Sequence, residues 1–272
     1  MQDTRVTGPR PVSALPEGPL RFGEYAPHPR LASHVERYWT LEVLEPPASV
    51  RLVPDGLVDL VFELGPKVTA WVAGPRRLPV VYTHARSTVL LGASIRAASA
   101  PAVLGVRADA LPAEWGPLTA VLGAGADALS EAIAREAALP GRLAVLEVFL
   151  AARLAAAAVD QRVARAVSEI VSADGVVELS AIARRAGASP RNLGRLFRSW
   201  VGVGPKQFAR IVRAQAALQR LADVPPPELG ALAAELGFAD QAHLSRELRA
   251  FTGAQARTLA ERLRGLAGAL GP

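Results

Sequence analysis

Residues 232–259 read LAAELGFADQAHLSRELRAFTGAQARTL, and this stretch decides how the C-terminal part of the chain is interpreted. Gly237 lies inside it, and glycine readily ends a helix and turns the chain. The apolar residues on either side recur at helical spacing, and they are Ala231, Leu232, Leu236, Phe238, Leu244, Leu248 and Phe251. This periodicity predicts two amphipathic helices separated by a short turn.

Two helices joined by a turn near a glycine are typical of a helix-turn-helix, which places its second helix in the major groove of DNA. Asp240 is well placed to cap that second helix. The alternative is a small helical bundle, in which His243 is only a cap or surface residue and Arg246 could equally clamp a phosphate. In the first interpretation, the early turns carry the side chains that reach base edges: Gln241, His243, Ser245 and Arg246.

A second unit of the same kind precedes this one. Residues 179–222 read LSAIARRAGASPRNLGRLFRSWVGVGPKQFARIVRAQAALQRLA. Ser180 is expected to cap a helix over residues 181–186, and Ser189 to cap a second helix that begins at Pro190. That second helix is predicted to carry a broad polar face, made of Arg191, Asn192, Gly194, Arg195 and Arg198.

The polar face of this helix contains groups suited to reading DNA. Arg191 and Arg195 are one turn apart, so both can point into a groove, where Arg pairs with O6 and N7 of guanine. Gly194 lies between them without a side chain, so we expect this unit to read fewer bases. Arg198 and Lys206 are expected to contact phosphates, which position a protein without specifying sequence.

The two units are joined by a predicted helix over residues 205–222. Its ~18 residues at ~1.5 Å each span ~27 Å, which can set two recognition helices about one DNA turn (~34 Å) apart. The string GFADQAHLSRELRAFTGAQARTL, together with the earlier unit, resembles the AraC/XylS-type transcription regulators over residues 160–264. The resemblance implies a sequence-specific DNA-binding regulator rather than an enzyme.

Charge is distributed unevenly along the chain. Residues 1–157 hold 15 Lys+Arg and 15 Asp+Glu, whereas residues 158–272 hold 16 and 10, so the whole excess of +6 lies in the C-terminal part. A basic surplus confined to one domain is typical of nucleic-acid binding, although a solvated basic face gives the same count. The charge therefore supports the helix-turn-helix interpretation without establishing it.

The N-terminal part predicts several short strands with Pro and Gly between them, which is typical of a small β-sandwich or barrel. Residues 31–38 have helical spacing and are predicted as a helix. Residues 1–20 are rich in Pro and Gly and are predicted to be a disordered or loosely attached arm. The predicted strands cover residues 39–44, 50–53, 58–64, 68–73, 79–82 and 88–96.

Four short pieces of this part resemble the β-rich domain that precedes some AraC-type DNA-binding domains. They are Tyr25-x-Pro-His-Pro, Glu36-Arg37-Tyr38-Trp39, Pro54-Asp55-Gly56 and Leu91-Gly92. The resemblance implies a domain that senses a small molecule or holds a dimer. The sequence departs from the family pattern over residues 94–101, where an aromatic residue and a Pro-Gly pair are usual. We therefore assign no ligand-binding residue in this chain from the resemblance.

Two groups of residues leave room for a site in the N-terminal part. Asp55 and Asp59 could form a carboxylate pair, but a turn residue and a strand-end residue are the favoured interpretation. Trp39, Trp71 and Trp115 could line a pocket, but core packing is the favoured interpretation for each.

Other chemistries have no support in the sequence. There is no Cys, the four His share no metal-ligand spacing, and no nucleophile, phosphate-loop or dinucleotide motif occurs. We therefore expect no metal, no cofactor and no catalytic residue. No leader is recognisable and no apolar run reaches the ~18 residues of a membrane span, so we expect a cytoplasmic protein without a membrane partner.

The sequence thus predicts an α+β protein with a β-rich N-terminal domain at 1–117, a helical linker at 118–159 and a DNA-binding domain at 160–272. Within the linker, Pro140-Gly141 is expected to separate two helices, the second over residues 142–159 and largely buried. Double-stranded DNA is the expected partner, and a small-molecule effector, RNA polymerase and a second copy of the chain are the further candidates. The alternatives are an N-terminal domain that only dimerises or docks a partner, and an enzyme fused to a DNA-binding domain.

Overall fold

The computed structural model describes residues 12–269, apart from the side chains of residue 257 and residues 264–269. Its N-terminal region holds the strands and its C-terminal region is helical, which confirms the predicted α+β class. The strands of the described part are β1 (Ala14–Glu17), β2 (Leu20–Tyr25), β3 (Val35–Val43), β4 (Ala48–Leu52), β5 (Leu57–Leu64), β6 (Thr69–Ala73), β7 (Val80–His84), β8 (Val89–Arg96) and β9 (Trp115–Pro117).

These strands form two antiparallel sheets. Strands β1, β4 and β7 make a three-stranded sheet in that order, and the larger sheet has the order β2-β3-β8-β5-β6-β9. Because side chains alternate along a strand, β5 presents a different set to each side of the larger sheet. Val58, Leu60 and Phe62 join the main hydrophobic core, whereas Asp59, Val61 and Glu63 line a cavity.

The segment predicted as a linker packs into that same core. It contains α2 (Thr119–Leu122), α3 (Ala124–Arg135) and α4 (Leu139–Ala156), after the short α1 (Ala100–Leu104). Leu146 and Leu150 of α4 are fully buried beside residues of the larger sheet. Residues 118–156 therefore complete the N-terminal core, and Pro140 lies in the first turn of α4 rather than between two helices.

Burial along α4 is confined to one stripe, which corrects the prediction of a largely buried helix. Leu146 and Leu150 face the core, but Phe149 is only half-buried and the Val148 side chain is 71% exposed. A helix that covers one sheet buries the side chains at intervals of three and four and leaves the rest exposed.

The C-terminal region holds seven helices among the described residues. The first helix-turn-helix unit consists of α6 and α7, the second consists of α9 and α10, and α8 joins the two units. Their bounds are α5 (Gln161–Ser172), α6 (Leu179–Arg185), α7 (Pro190–Val201), α8 (Pro205–Leu221), α9 (Leu229–Glu235), α10 (Gln241–Thr252) and α11 (Ala256–Ala269).

Three of the four predicted features at the helix ends are confirmed. The side chains of Ser189 and Asp240 cap α7 and α10, and Gly237 has the positive φ of 65° that suits a glycine after a helix. Ser180 does not cap α6. The cap is Glu178, whose carboxylate accepts hydrogen bonds from the backbone N–H groups of Ser180 and Ala181, so the helix begins two residues earlier than predicted.

The predicted helix over residues 31–38 is wrong. Hydrogen-bonded turns occupy residues 28–35, and β3 begins at Val35. Val35, Tyr38 and Trp39 are β-branched or aromatic residues that favour strands. Pairing with β2 on one side and β8 on the other satisfies the backbone of β3, and this tertiary pairing outweighs the helical spacing.

The predicted loose arm is wrong for its second half, and residues 1–11 lie outside the described residues. Residues 14–17 form β1, which pairs with β4 and tolerates Pro16 because it is an edge strand. Leu15 is fully buried against α8, α9 and α10. Burial of this leucine anchors the segment despite its Pro and Gly content.

The N-terminal region packs against both helix-turn-helix units. Ala97 and Ala98 lie in the core of the first unit, and Leu15 and Val53 lie in the core of the second. Residues 97–98 belong to the stretch that departs from the family pattern, so its small side chains fit a close contact between the regions. The two regions therefore share buried surface.

We predict that Leu146→Asp lowers the free energy of unfolding by about 3–5 kcal/mol, because it places an unpaired carboxylate in the core. Val148→Asp is the matched control on the same helix, and we expect a change within about 0.5 kcal/mol because this side chain is exposed. Urea unfolding followed by circular dichroism measures both. Equal midpoints for the two variants would contradict the packing of α4.

Candidate functional site

The first helix-turn-helix unit exposes a basic face on α7. Ser189 Oγ accepts a hydrogen bond from the Asn192 backbone N–H at 3.2 Å, which fixes the start of the helix. Asn192 Oδ1 accepts a hydrogen bond from Arg195 Nη2 at 3.0 Å, so these two side chains are held together. The helix buries Leu193, Leu196, Phe197 and Val201 and exposes Arg191, Arg195 and Arg198.

The second unit fixes the start of α10 through two contacts. Asp240 Oδ1 accepts a hydrogen bond from the His243 backbone N–H at 2.6 Å. The His243 ring accepts one at Nδ1 from the Ala239 backbone N–H at 3.3 Å, and it lies edge-on to Phe238 with 5.4 Å between ring centroids. His243 therefore takes part in the cap, a role that the sequence left open beside base contact.

Beyond the cap, α10 presents the remaining predicted DNA-contacting residues. Gln241 and Arg246 are exposed and Ser245 is half-buried. Arg249, one turn after Arg246, is a further exposed cation that the motif did not single out. Lys206 is exposed at the start of α8, where the sequence placed it.

The joining helix α8 contacts the turn before the first unit and the turn inside the second. Arg213 donates hydrogen bonds from Nη2 to the Gly175 carbonyl at 3.2 Å and from Nη1 to the Gly237 carbonyl at 3.4 Å. Its guanidinium lies 5.5 Å from the ring centroid of Phe238. Gly175 precedes the first unit and Gly237 is the turn of the second unit, so one side chain holds both.

Two further arginines of α8 strengthen this link. Arg210 binds the Glu247 carboxylate through two hydrogen bonds of 3.1 and 3.0 Å, which attaches α10 to α8. Arg220 binds Asp174 at 2.8 Å and Glu235 at 2.6 Å. The helix that the sequence treated as a spacer is therefore bonded to the turn before the first unit and to both helices of the second. These three arginines recur at near-helical spacing in the sequence, but the sequence does not show which residues they contact.

A cavity of about 570 Å³ lies among the strands of both sheets in the N-terminal region. Trp39, Trp71 and Trp115 line it and none of them is fully buried, so they lie at a pocket, as the alternative interpretation allowed. Trp39 also packs against a hydrophobic core cluster, as the favoured interpretation expected. Ala222, just after α8, and Leu263 of α11 also line the cavity. The wall of the cavity thus includes the helical region.

A network of buried polar groups lies along the cavity. Asp59 Oδ1 accepts a hydrogen bond from Ser94 Oγ at 2.6 Å, and Ser94 Oγ also accepts one from Trp39 Nε1 at 3.2 Å. Asp59 Oδ2 lies 3.5 Å from Nη1 of Arg76, which is buried. The guanidinium of Arg76 lies 5.3 Å from the ring centroid of Trp115. The sequence gave no indication of a role for Arg76.

Asp55 is the turn residue that the sequence favoured, because its Oδ1 accepts a hydrogen bond from the Leu57 backbone N–H at 3.0 Å. Its side chain is also buried. Burial raises the pKa of Asp55, and the charge of Asp59 raises it further. Ser13 bonds to both Asp55 and Arg37, which ties the N-terminal strand to this network.

The segment just before β1 also contacts the joining helix. Gln215 of α8 is buried, and its Nε2 donates to the carbonyls of Val12 and Pro54 at 3.0 and 2.7 Å. Its Oε1 accepts from the Val12 backbone N–H at 2.7 Å. Val12 lines the cavity, so a short chain of contacts connects the cavity to α8.

Two other kinds of site have no counterpart in the part of the chain that the structure describes. No group of three or more His, Asp or Glu side chains there could hold a metal ion. No helix among the described residues is long and apolar enough to cross a membrane.

We predict that Asp240→Ala destabilises the second unit by about 1 kcal/mol, because the first turn of α10 loses its cap. Asp240→Asn keeps an acceptor oxygen and is the matched control, with most of the stability expected to remain. Urea unfolding of the full chain measures the difference. An Ala variant as stable as the Asn variant would contradict the capping role.

Two family models match separate parts of the chain. A model described as a helix-turn-helix domain matches residues 182–262, and a model described as a domain of unknown function (DUF6597) matches residues 23–114. A search of curated protein sequences gives no match.

Solved structures also resemble the chain. A transcriptional regulator with an AraC-type DNA-binding domain from Chromobacterium violaceum is 23% identical, with a TM-score of 0.36 over 38% of this chain and 91% of that one. ToxT from Vibrio cholerae with a bound unsaturated fatty acid is 10% identical, with a TM-score of 0.46 over 93% of this chain and 95% of that one.

Proposed function

Residues 182–262 form an AraC/XylS-type helix-turn-helix domain, and from that premise we propose that the chain is a sequence-specific, DNA-binding regulator of transcription. The observation that carries the proposal is the pair of capped helices, α7 and α10, that a single helix holds together. Both helices expose cations, and the net charge of +6 falls entirely within residues 158–272. A basic surface on two fixed helices suits the phosphates and grooves of double-stranded DNA.

In this proposal, the two recognition helices divide between reading bases and positioning the protein. Arg191 and Arg195 read one half-site, and Arg195 does so from the position that its bond to Asn192 gives it. Gln241 and Arg246 read the other half-site, with Ser245 and the cap residue His243 beside them. Arg198, Lys206 and Arg249 contact phosphates, and Gly194 lets the backbone approach DNA closely.

The same proposal assigns effector sensing to the N-terminal region. The supporting observation is the cavity of about 570 Å³, a size that suits small organic molecules, with aromatic walls and a few buried polar groups. A region that only dimerised or docked a partner would have no need for such a space. The contacts of Gln215 with Val12 and Pro54 provide a route from this cavity to the joining helix.

We predict that Arg195→Ala relaxes base preference at one half-site, at about 1–3 kcal/mol of lost discrimination. Lys206→Ala should instead weaken binding to all sequences about equally and reduce the salt slope by about 1. Selection of bound sites from random duplexes, followed by salt titrations with the full chain, separates the two effects. Arg21→Ala is the control, because this exposed Arg lies in the N-terminal region and should change neither quantity.

Two results would contradict the proposed roles of these residues and of the chain. If Arg195→Ala and Lys206→Ala caused the same uniform loss of affinity, α7 would not lie in a major groove. If the full chain bound duplexes without any sequence preference at moderate salt, the proposed sequence-specific regulator would be wrong.

A further inference from the structure

Arg76 has unused hydrogen-bonding capacity inside the cavity. Its side chain is 2% exposed, and its contact with Asp59 is at the 3.5 Å limit of a hydrogen bond. Nε and Nη2 have no hydrogen-bond partner among the described residues. Buried charged donors are costly to leave unpaired, so an orphaned pair of this kind requires an explanation.

The two orphaned atoms share one edge of the guanidinium. Nε and Nη2 point their N–H bonds in the same direction, and this edge binds a carboxylate through two parallel hydrogen bonds. The Arg76 guanidinium lies over the Trp115 ring, with 5.3 Å from its central carbon to the ring centroid. This cation–π contact helps to hold Arg76 in place.

Each carboxylate that lines the cavity already has at least one polar partner, which favours an anionic ligand over a cationic one. Glu63 accepts hydrogen bonds from Arg86 and Thr88, both at 2.9 Å. Glu24 is ion-paired with Arg37 at 3.3 Å. Asp59 has Ser94 on one oxygen and Arg76 on the other. Arg76 is therefore the cation whose donors need a partner, and an anionic ligand can accept hydrogen bonds from them.

The rest of the wall favours an apolar body. Aromatic and aliphatic side chains surround the polar network, and Tyr82 lies edge-on to Trp115 at 5.5 Å. Burial raises the pKa of Tyr82, and the neighbouring Arg76 lowers it. The apolar lining includes Phe22, Trp39, Leu41, Trp71, Leu90 and Trp115.

We propose that the cavity binds a small amphipathic carboxylate, whose carboxyl group is held by Nε and Nη2 of Arg76 and whose apolar body lies against Trp39, Trp71 and Trp115. The inference rests on the proposed function in taking this cavity as the effector site. Binding itself depends only on the cavity, so it can be tested apart from DNA.

The test is calorimetric titration of the full chain with three probes of one shape. Biphenyl-4-carboxylate carries the anion, biphenyl-4-methanol is neutral, and biphenyl-4-methylamine carries a cation. We expect the carboxylate to bind at least about tenfold more tightly than the alcohol, because charge-assisted bidentate bonds are the stronger kind. The amine should bind most weakly, because it would meet the Arg76 guanidinium.

Two variants assign the site. Arg76→Lys keeps the charge but removes the two-pronged edge, and we expect it to lower carboxylate affinity about tenfold with little change for the alcohol. Leu90→Trp adds bulk to the cavity wall while Arg76 is retained, and it should abolish binding of both probes. Arg135→Gln is the control, because this Arg is 73% exposed on α3, does not line the cavity and should leave all three titrations unchanged. Thermal melting shows that each variant is folded.

Each other outcome overturns the inference. If the amine bound best, the tryptophans would form a site for a cation. If the three probes bound equally, or if Arg76→Lys left carboxylate affinity unchanged, Arg76 would not select the ligand. If the folded chain bound no probe at millimolar concentration, the cavity would not be a site for amphipathic carboxylates. Sequence-specific DNA binding by that same chain would leave the proposed function intact and separate the two failures.

Discussion

The guanidinium of Arg213 connects elements that no backbone hydrogen bond joins. It reaches the carbonyls of Gly175 and Gly237 at once, and these glycines belong to the turns before the first unit and inside the second. Both have positive φ, and a side chain at Gly175 would clash with the backbone of Ala209 on α8. The close approach of turn to helix brings the carbonyls within reach of the arginine. The geometry of the recognition helices therefore depends on two residues that lack side chains.

Rigid spacing matters because a two-unit reader binds only if both helices enter the groove together. A flexible joint would require ordering on DNA, and the cost of that ordering would reduce affinity. The bonds of Arg210 to Glu247 and of Arg220 to Asp174 and Glu235 restrict such motion in the free protein. The same helix also carries Gln215, which is bonded to Val12, just before β1. A shift of this N-terminal segment would therefore be transmitted to α8, the helix that sets the spacing of the two units.

The sequence predicted the helical region well because its signals are local. Caps at Ser189 and Asp240, the turn at Gly237 and the apolar stripes all depend on neighbours within one or two helical turns. It failed where distant partners decided the structure, as at Val35, which pairs with Ile95 of β8, and at Leu15, which a helical core buries. It could not find Arg76, because a buried arginine is identified by its surroundings and not by its neighbours in the chain.

That buried arginine also bears on how an effector could act. An unpaired edge of a guanidinium costs the fold on the order of 1–3 kcal/mol, and in the proposal of carboxylate binding the ligand removes this cost. The gain appears as added stability, which grows with ligand concentration as RT ln(1 + [L]/Kd). The stabilised wall includes the N-terminal segment, which is hydrogen-bonded to α8, and Leu263 of the final helix. A ligand that bound equally well whatever the position of the segment would shift nothing. Regulation through this cavity therefore requires two states of the protein that differ in how the N-terminal segment contacts Gln215. The carboxylate must bind one of these states more tightly than the other.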